Sequence, residues 1–184
     1  MGLEERINEM EKRLAALEKA SKKENARDGT VITMELVLPE ADIHGLHFNE
    51  TNVSAVFEKK GDWYYSRDIL FLSARNVEDD NRVDILTEYL ETHDFKECIR
   101  RQLPEEVFGE VLSEDVIDVC LPEENQGVKK YNGADWHYWL APRSACSSAY
   151  FVNVYYSGLS GNHGFASAVL GCAPAFCVGG NRHE

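Results

Sequence analysis

The chain has 184 residues, enough for one domain and an appendage. Its hydrophobic content of 43% supports a real core, and its formal net charge is −13. An acidic chain with no basic stripe argues against nucleic acid as a partner. No apolar run approaches the roughly 20 residues that span a membrane, so no insertion is expected.

In chain order, Leu3, Ile7, Met10, Leu14 and Leu17 recur at spacings of 4, 3, 4 and 3. This is a heptad seam, flanked by Glu4, Glu11 and Glu18 on one side and Arg6 and Arg13 on the other. A pure stripe with charged flanks reads as a coiled-coil helix, short enough to need help from the rest of the chain. Dimer and trimer both fit it. The charged, helical start does not read as a signal peptide, so synthesis in the cytoplasm is the expectation. Residues 1–28 are thus read as coiled-coil helix and linker, and 29–184 as the globular domain.

Thr30 to Leu38 alternates as a first strand, closed by Pro39. Short apolar pieces follow from Ile43 to Phe57, then Asp62-Trp63-Tyr64-Tyr65, and Ile69 to Leu72 as a buried strand candidate. Asp79-Asp80-Asn81-Arg82 precedes a helix predicted over roughly Val83 to Glu91, with Val83, Leu86 and Leu90 on its apolar face. A second helix is predicted near Asp94 to Leu103, burying Phe95, Cys98 and Ile99. Val107 to Leu112 is ambiguous between helix and strand, and Val116 to Leu121 reads as a strand. The order is that of an α+β domain.

The last stretch differs in vocabulary. From Ala141 to His183 there is no Lys, Glu, Gln, Met or Trp, whereas these five types fill 37 of the first 140 positions. At that rate about eleven would fall in the window. Strands and Gly-rich turns use little Lys and Glu, but Met and Trp suit packed β structure and are missing too. None of the five has a codon ending in a pyrimidine. Codons of the type A-A-pyrimidine, randomised at both adenines, can never yield them. Charge follows the same boundary. Residues 141–184 hold Arg143, Arg182 and Glu184, a sum of +1, which leaves −14 on residues 1–140.

This stretch resembles the variable proteins of diversity-generating retroelements, whose C-terminal region is rewritten by adenine-directed mutagenesis. The resemblance rests on Trp136-His137-Tyr138-Trp139-Leu140-Ala141-Pro142, on Phe151-Val152-Asn153-Val154, on Gly158, and on the closing Gly171-Cys172-Ala173-Pro174-Ala175-Phe176. Trp63 to Tyr89 is similar more loosely. The resemblance implies a C-type-lectin-like α+β fold, a homotrimer joined by the N-terminal helix, and a protein or glycan ligand on a cell surface. It also implies a bacterial host, with assembly into a phage virion. The diversified part would span about 141–171.

A rigid scaffold would then carry exchangeable side chains. Trp136, Trp139, Leu140, Phe151, Val152, Val154, Pro174 and Phe176 would form it, with turns at Gly158 and Gly171, and Asn153 satisfying backbone groups. The binding surface would be Arg143, Ala145, Cys146, Ser148, Tyr150, Tyr155, Tyr156, Leu159, Asn162, His163, Phe165, Val169 and Leu170, a paratope-like mixture. Adjacent strand residues face opposite ways, so at most one of Tyr155 and Tyr156 would contact ligand unless the strand ends there.

Other chemistry finds little footing. His44-x-x-His47 lacks a third ligand and the Glu of a zinc-protease helix. Glu78-Asp79-Asp80-Asn81 lacks the Gly and terminal Glu of an EF-hand loop and reads as a helix start. The sugar-binding tripeptides of calcium-dependent lectins are absent, as are nucleophile-elbow, P-loop and dinucleotide motifs. No catalytic residue, metal or cofactor is expected. The five cysteines, Cys98, Cys120, Cys146, Cys172 and Cys177, are expected reduced and mostly buried. Two alternatives to a ligand-binding protein stand beside it. One is an oxidase of the formylglycine-generating type, suggested by Cys172 and Cys177. The other is an undiversified phage tail protein.

Overall fold

The structure, a computed structural model, describes residues 7, 8, 10–15, 27–105 and 117–179. Residues 10–15 are helical, and of the heptad seam Ile7, Met10 and Leu14 are all exposed. Leu3, Leu17 and the ambiguous Val107 to Leu112 lie outside the described residues.

The first strand, β1 (Val31–Leu38), alternates as its sequence requires. Ile32, Met34, Leu36 and Leu38 are buried, and the residues between them face solvent. It pairs antiparallel along its whole length with β4 (Thr51–Lys60). The ribbon β2 (Ala41–Ile43) and β3 (Leu46–Phe48) lies between them. After β5 (Trp63–Ser66) the chain crosses into a second sheet at β6 (Phe71–Ser73). The strand predicted from Ile69 thus begins two residues later, with Ile69 and Leu70 buried ahead of it.

Helix α1 (Ile85–Leu90) starts later than predicted. Asp84 is its N-cap, accepting from the Thr87 N–H at 3.2 Å, so Val83 falls outside the helix and is exposed. Ile85 and Tyr89 join Leu86 and Leu90 inside. Helix α2 (His93–Arg100), capped by Thr92, buries Phe95 and Ile99, with Cys98 half-buried. It packs against β1.

The remaining strands are β7 (Ile117–Cys120), β8 (Lys129–Tyr131), β9 (Ala134–Trp136), β10 (Tyr138–Arg143), β11 (Tyr150–Val154), β12 (Ser160–Phe165), β13 (Leu170–Cys172) and β14 (Ala175–Val178). One five-stranded sheet has the order β1-β4-β5-β14-β7, the other β12-β11-β10-β13-β6. The two-residue turn between β8 and β9 is Asn132-Gly133, with φ of 51° and 83°. Asn and Gly are the pair that accepts positive φ at both positions and matches strand twist. The fold is α+β, dominated by strands.

The main core lies between the first sheet, the two helices and one face of the second sheet, whose Trp139 and Phe151 are fully buried. A smaller core of Ile69, Tyr138, Leu140, Val154 and Ala173 covers part of the second sheet's other face. Residues of β10 and β11 therefore alternate between the two cores, as strand geometry demands.

Candidate functional site: the outer face of β11 and β12

Strands β10, β11 and β12 turn Trp139 and Phe151 inward. Tyr150, Val152 and Val154 share the opposite face of β11. Phe165 lies across from Tyr150, and their ring centroids are 4.7 Å apart, edge to face. His163 approaches the same Tyr150 ring at 5.6 Å. These three side chains form one outward cluster at the open end of the β11–β12 hairpin. Phe165 and His163 are exposed, and Tyr150 is half-buried.

The glycines of β12 are fixed by close approach. A Cβ on Gly164 would come within 2.5 Å of the Trp139 ring, and one on Gly161 within 2.4 Å of the Tyr155 ring. The ladder shifts register between Phe151 and Asn153, with Gly164 and Gly161 as their partners. Two β12 residues, Asn162 and His163, thus oppose one on β11, and both are exposed.

At the open end the loops 144–149 and 166–169 are pinned from another part of the chain. The Asn81 amide donates to the carbonyls of Ser147 (3.0 Å) and Tyr150 (2.8 Å), and its backbone N–H donates to Ser148 O. The N–H groups of Arg75 and Asn76 both donate to Ala166 O at 2.9 Å. Asp79 accepts from the Ser167 hydroxyl at 2.6 Å. The Arg75 guanidinium, fully buried, pairs with Asp84 and donates to Leu140 O (2.6 Å) and Ala141 O (3.2 Å). It also lies over the Phe151 ring at 3.9 Å. The acidic run read as a helix start is therefore mainly a clamp on these loops, because the cap itself is Asp84. Arg82 holds Asp80 down at about 2 through side-chain hydrogen bonds, and its carbonyl accepts from Arg143 at 3.2 Å.

The other end of the hairpin carries Tyr155, Tyr156 and Leu159. Strand β11 ends at Val154, and a turn closes with Tyr155 N–H on Leu159 O and Gly158 N–H on Tyr155 O. Strand alternation no longer applies there, and both tyrosine rings stand edge-on to His137, at 5.5 and 5.3 Å. Tyr156 and Leu159 are 61% and 68% exposed.

None of the thirteen expected surface residues is buried. Arg143, Ala145, Cys146, Ser148, Tyr156, Leu159, Asn162, His163, Phe165 and Val169 are exposed, and Tyr150, Tyr155 and Leu170 are half-buried. They do not make one patch. Tyr155, Tyr156 and Leu159 lie at the turn end, and Leu170 packs partly against the main core.

Within the scaffold, Trp139, Leu140, Phe151, Val154, Pro174 and Phe176 are buried and Val152 is half-buried. Three expectations need correction. Trp136 is exposed on the β8–β9 ribbon, 6.4 Å from the Tyr131 ring. Gly171 sits inside β13 rather than in a turn, where a Cβ would meet Ile69 at 2.5 Å. Asn153 is buried, yet its Oδ1 has no partner among the described residues, so it does not serve the backbone through that oxygen.

None of the five cysteines forms a disulfide, and only Cys172 and Cys177 are buried. Cys98 and Cys120 are half-buried and Cys146 is exposed. Burial pushes Cys98 and Cys120 up to about 12, and raises Cys172 as well. His44 lies in the β2–β3 turn with φ 49°, facing Glu88 at 3.1 Å. His47 faces Asn49 and Asp42. Among the described residues no three His, Cys, Asp or Glu side chains group as metal ligands, and no helix is long and apolar enough to cross a membrane. Comparison with family models, with curated proteins and with solved structures finds no match.

Proposed function

We propose that this chain is a ligand-binding protein whose C-terminal face is diversified by adenine-directed mutagenesis, on a C-type-lectin-like framework. The observation that carries the reading is how the candidate loops are held. Arg75, Asn76 and Asn81, all before residue 141, grip them chiefly through backbone carbonyls: Leu140, Ala141, Ser147, Ser148, Tyr150 and Ala166. A loop held by its backbone keeps its shape when its side chains change. The residue vocabulary of 141–183 gives the same division from the codon side.

The ligand is a protein or glycan on a cell surface, met by Tyr150, His163 and Phe165 with Arg143 and the 144–149 loop around them. The region is almost free of charge, so aromatic area and hydrogen bonds would carry affinity. Weak single contacts gain strength when the N-terminal heptads present several copies, as on a phage virion. The buried Cys172, its thiol raised by burial, makes a poor thiolate and gives the oxidase alternative no support.

Sequencing the DNA beside the gene tests the reading. A reverse transcriptase and a near-copy of codons 139–176, differing only where the copy has adenine, are expected. Differences scattered over all four bases, or no such copy, would overturn it.

A further inference from the structure

We propose that the free edge of β1 joins a second copy of this chain, antiparallel and two-fold, so that two five-stranded sheets run on as one. This goes beyond the ligand reading and stands without it. Strand β1 is terminal in its sheet, paired only with β4. One hydrogen bond shows which of its backbone groups are spent: Lys59 N–H donates to Thr30 O at 2.9 Å. In an antiparallel ladder the N–H and C=O of a residue point to one side, and the side alternates along the strand. With Val31 opposite Glu58, the residues Ile32, Met34 and Leu36 turn theirs to β4. Val31, Thr33, Glu35 and Val37 turn theirs outward, and among the described residues no group pairs with them.

Exposed edges are usually blunted by Lys, Pro or a bulge. The β1 sequence VITMELVL has neither Lys nor Pro, Glu35 is its one charge, and its ladder with β4 runs without a shift. Its side chains are also self-complementary. Outward-turned residues can bond only to outward-turned residues, and one antiparallel register engages all four on both chains. It sets Val31 against the partner's Val37 and Thr33 against the partner's Glu35, with Met34 at the centre. The two exposed valines, 43% and 50% accessible, then cover each other. The Thr33 hydroxyl meets a carboxylate, and the two Glu35 groups are not opposed.

Two strands make a small interface, weak alone. The heptad seam, with Ile7, Met10 and Leu14 exposed, tethers the copies and raises their effective concentration. A parallel two-stranded coil and an antiparallel strand pair share a single two-fold axis. A three-fold coil has no such axis, and three edges cannot pair off. The edge therefore selects a dimer where the resemblance implies a trimer.

Sedimentation equilibrium of the full chain reads the outcome. The wild type is expected at twice the monomer mass. Thr33→Pro deletes one outward N–H while leaving every bond to β4 in place. It should weaken the dimer about thirtyfold or more, the equivalent of a hydrogen bond lost from each copy. Thr33→Val should leave the mass unchanged. A second variant does not depend on how Thr33→Pro folds. Val31→Cys/Val37→Cys, made with Cys146→Ser, should give a covalent dimer on mild oxidation. Within one chain those positions are roughly 20 Å apart, too far for a bridge. A trimer or a monomer overturns the proposal. So does a dimer that Thr33→Pro leaves intact and the paired cysteines do not cross-link.

Discussion

If one face of β11 and β12 is frame and the other exchangeable, substitutions at neighbouring positions that face opposite ways must differ sharply in cost. Phe151 is fully buried between Trp139 and the Arg75 guanidinium. Phe151→Ala removes a buried ring and leaves a cavity, a cost of about 3–5 kcal/mol. It also strips the surface on which Arg75 lies. His163→Ser and Phe165→Ser, on the outward face, should each cost about 0.5 kcal/mol or less, plus what the aromatic cluster supplies. That supply is measurable, because Tyr150 touches both rings. Tyr150→Ser, Phe165→Ser and the double change form a cycle whose coupling should be about 0.5–1.5 kcal/mol, the worth of one edge-to-face pair. Urea unfolding of each variant, with m held constant, gives the values. The reasoning fails if Phe165→Ser alone costs more than about 2 kcal/mol, or if Phe151→Ala costs less than about 1.

Gly164→Ala should destabilise the domain by about 1–3 kcal/mol, because its Cβ has no room beside Trp139; near-UV circular dichroism of the indole should change with it. Asn81→Ala removes donors to Ser147 O and Tyr150 O and should cost about 1–3 kcal/mol, with faster amide exchange across 144–150. Alkaline pH should destabilise the chain through Cys98 and Cys120. Their folded values, near 12, lie above the unfolded thiol value, so the folded state holds the extra protons and their contribution falls as pH rises above about 9. Lys129, pushed down to about 8 by burial, acts oppositely, its penalty easing from about pH 8 to 10.5. Cys98→Ala/Cys120→Ala should therefore flatten the fall seen in urea titrations from pH 8 to 11.

What could be read from the chain alone depended on range. Alternation in VITMELVL fixes which residues of β1 are inside, because a one-residue error would reverse every side chain. His163 and Phe165, placed at the surface by the resemblance, are exposed. The α1 start was misplaced because Asp79, Asp80 and Asp84 all suit a cap, and only packing selects Asp84. The clamps were not legible. Asn81 meets Tyr150 across 69 residues and Arg75 meets Leu140 across 65, and nothing local marks either partner. A run of polar residues straight after the apolar β6 was the available hint. Trp136, expected in the scaffold, is exposed, because the face a short strand presents is set by its neighbours.

On the proposed reading, the division between holder and held would limit what diversification can do. Arg75 has no exposed surface, and its charge is balanced by Asp84, which also caps α1. Its remaining donors end on the carbonyls of Leu140 and Ala141. A buried arginine so placed is costly to remove, since truncation would leave Asp84 without its counter-charge and take a donor from two carbonyls. That cost falls outside the window of restricted vocabulary, on a residue that adenine-directed change in codons 141–171 would leave alone. Within the window, most anchors are carbonyls that every amino acid supplies. The exceptions are Ser167, whose hydroxyl reaches Asp79, and Arg143, whose guanidinium donates to the Arg82 carbonyl. Two chains differing at Tyr150, His163 and Phe165 should therefore superpose through 144–150. A change at Ser167 should be the one that lets the 166–169 loop move. Backbone-gripped loops can offer new chemistry but little new shape, so if the proposed function holds, ligands of such chains should share a contour and differ in polarity.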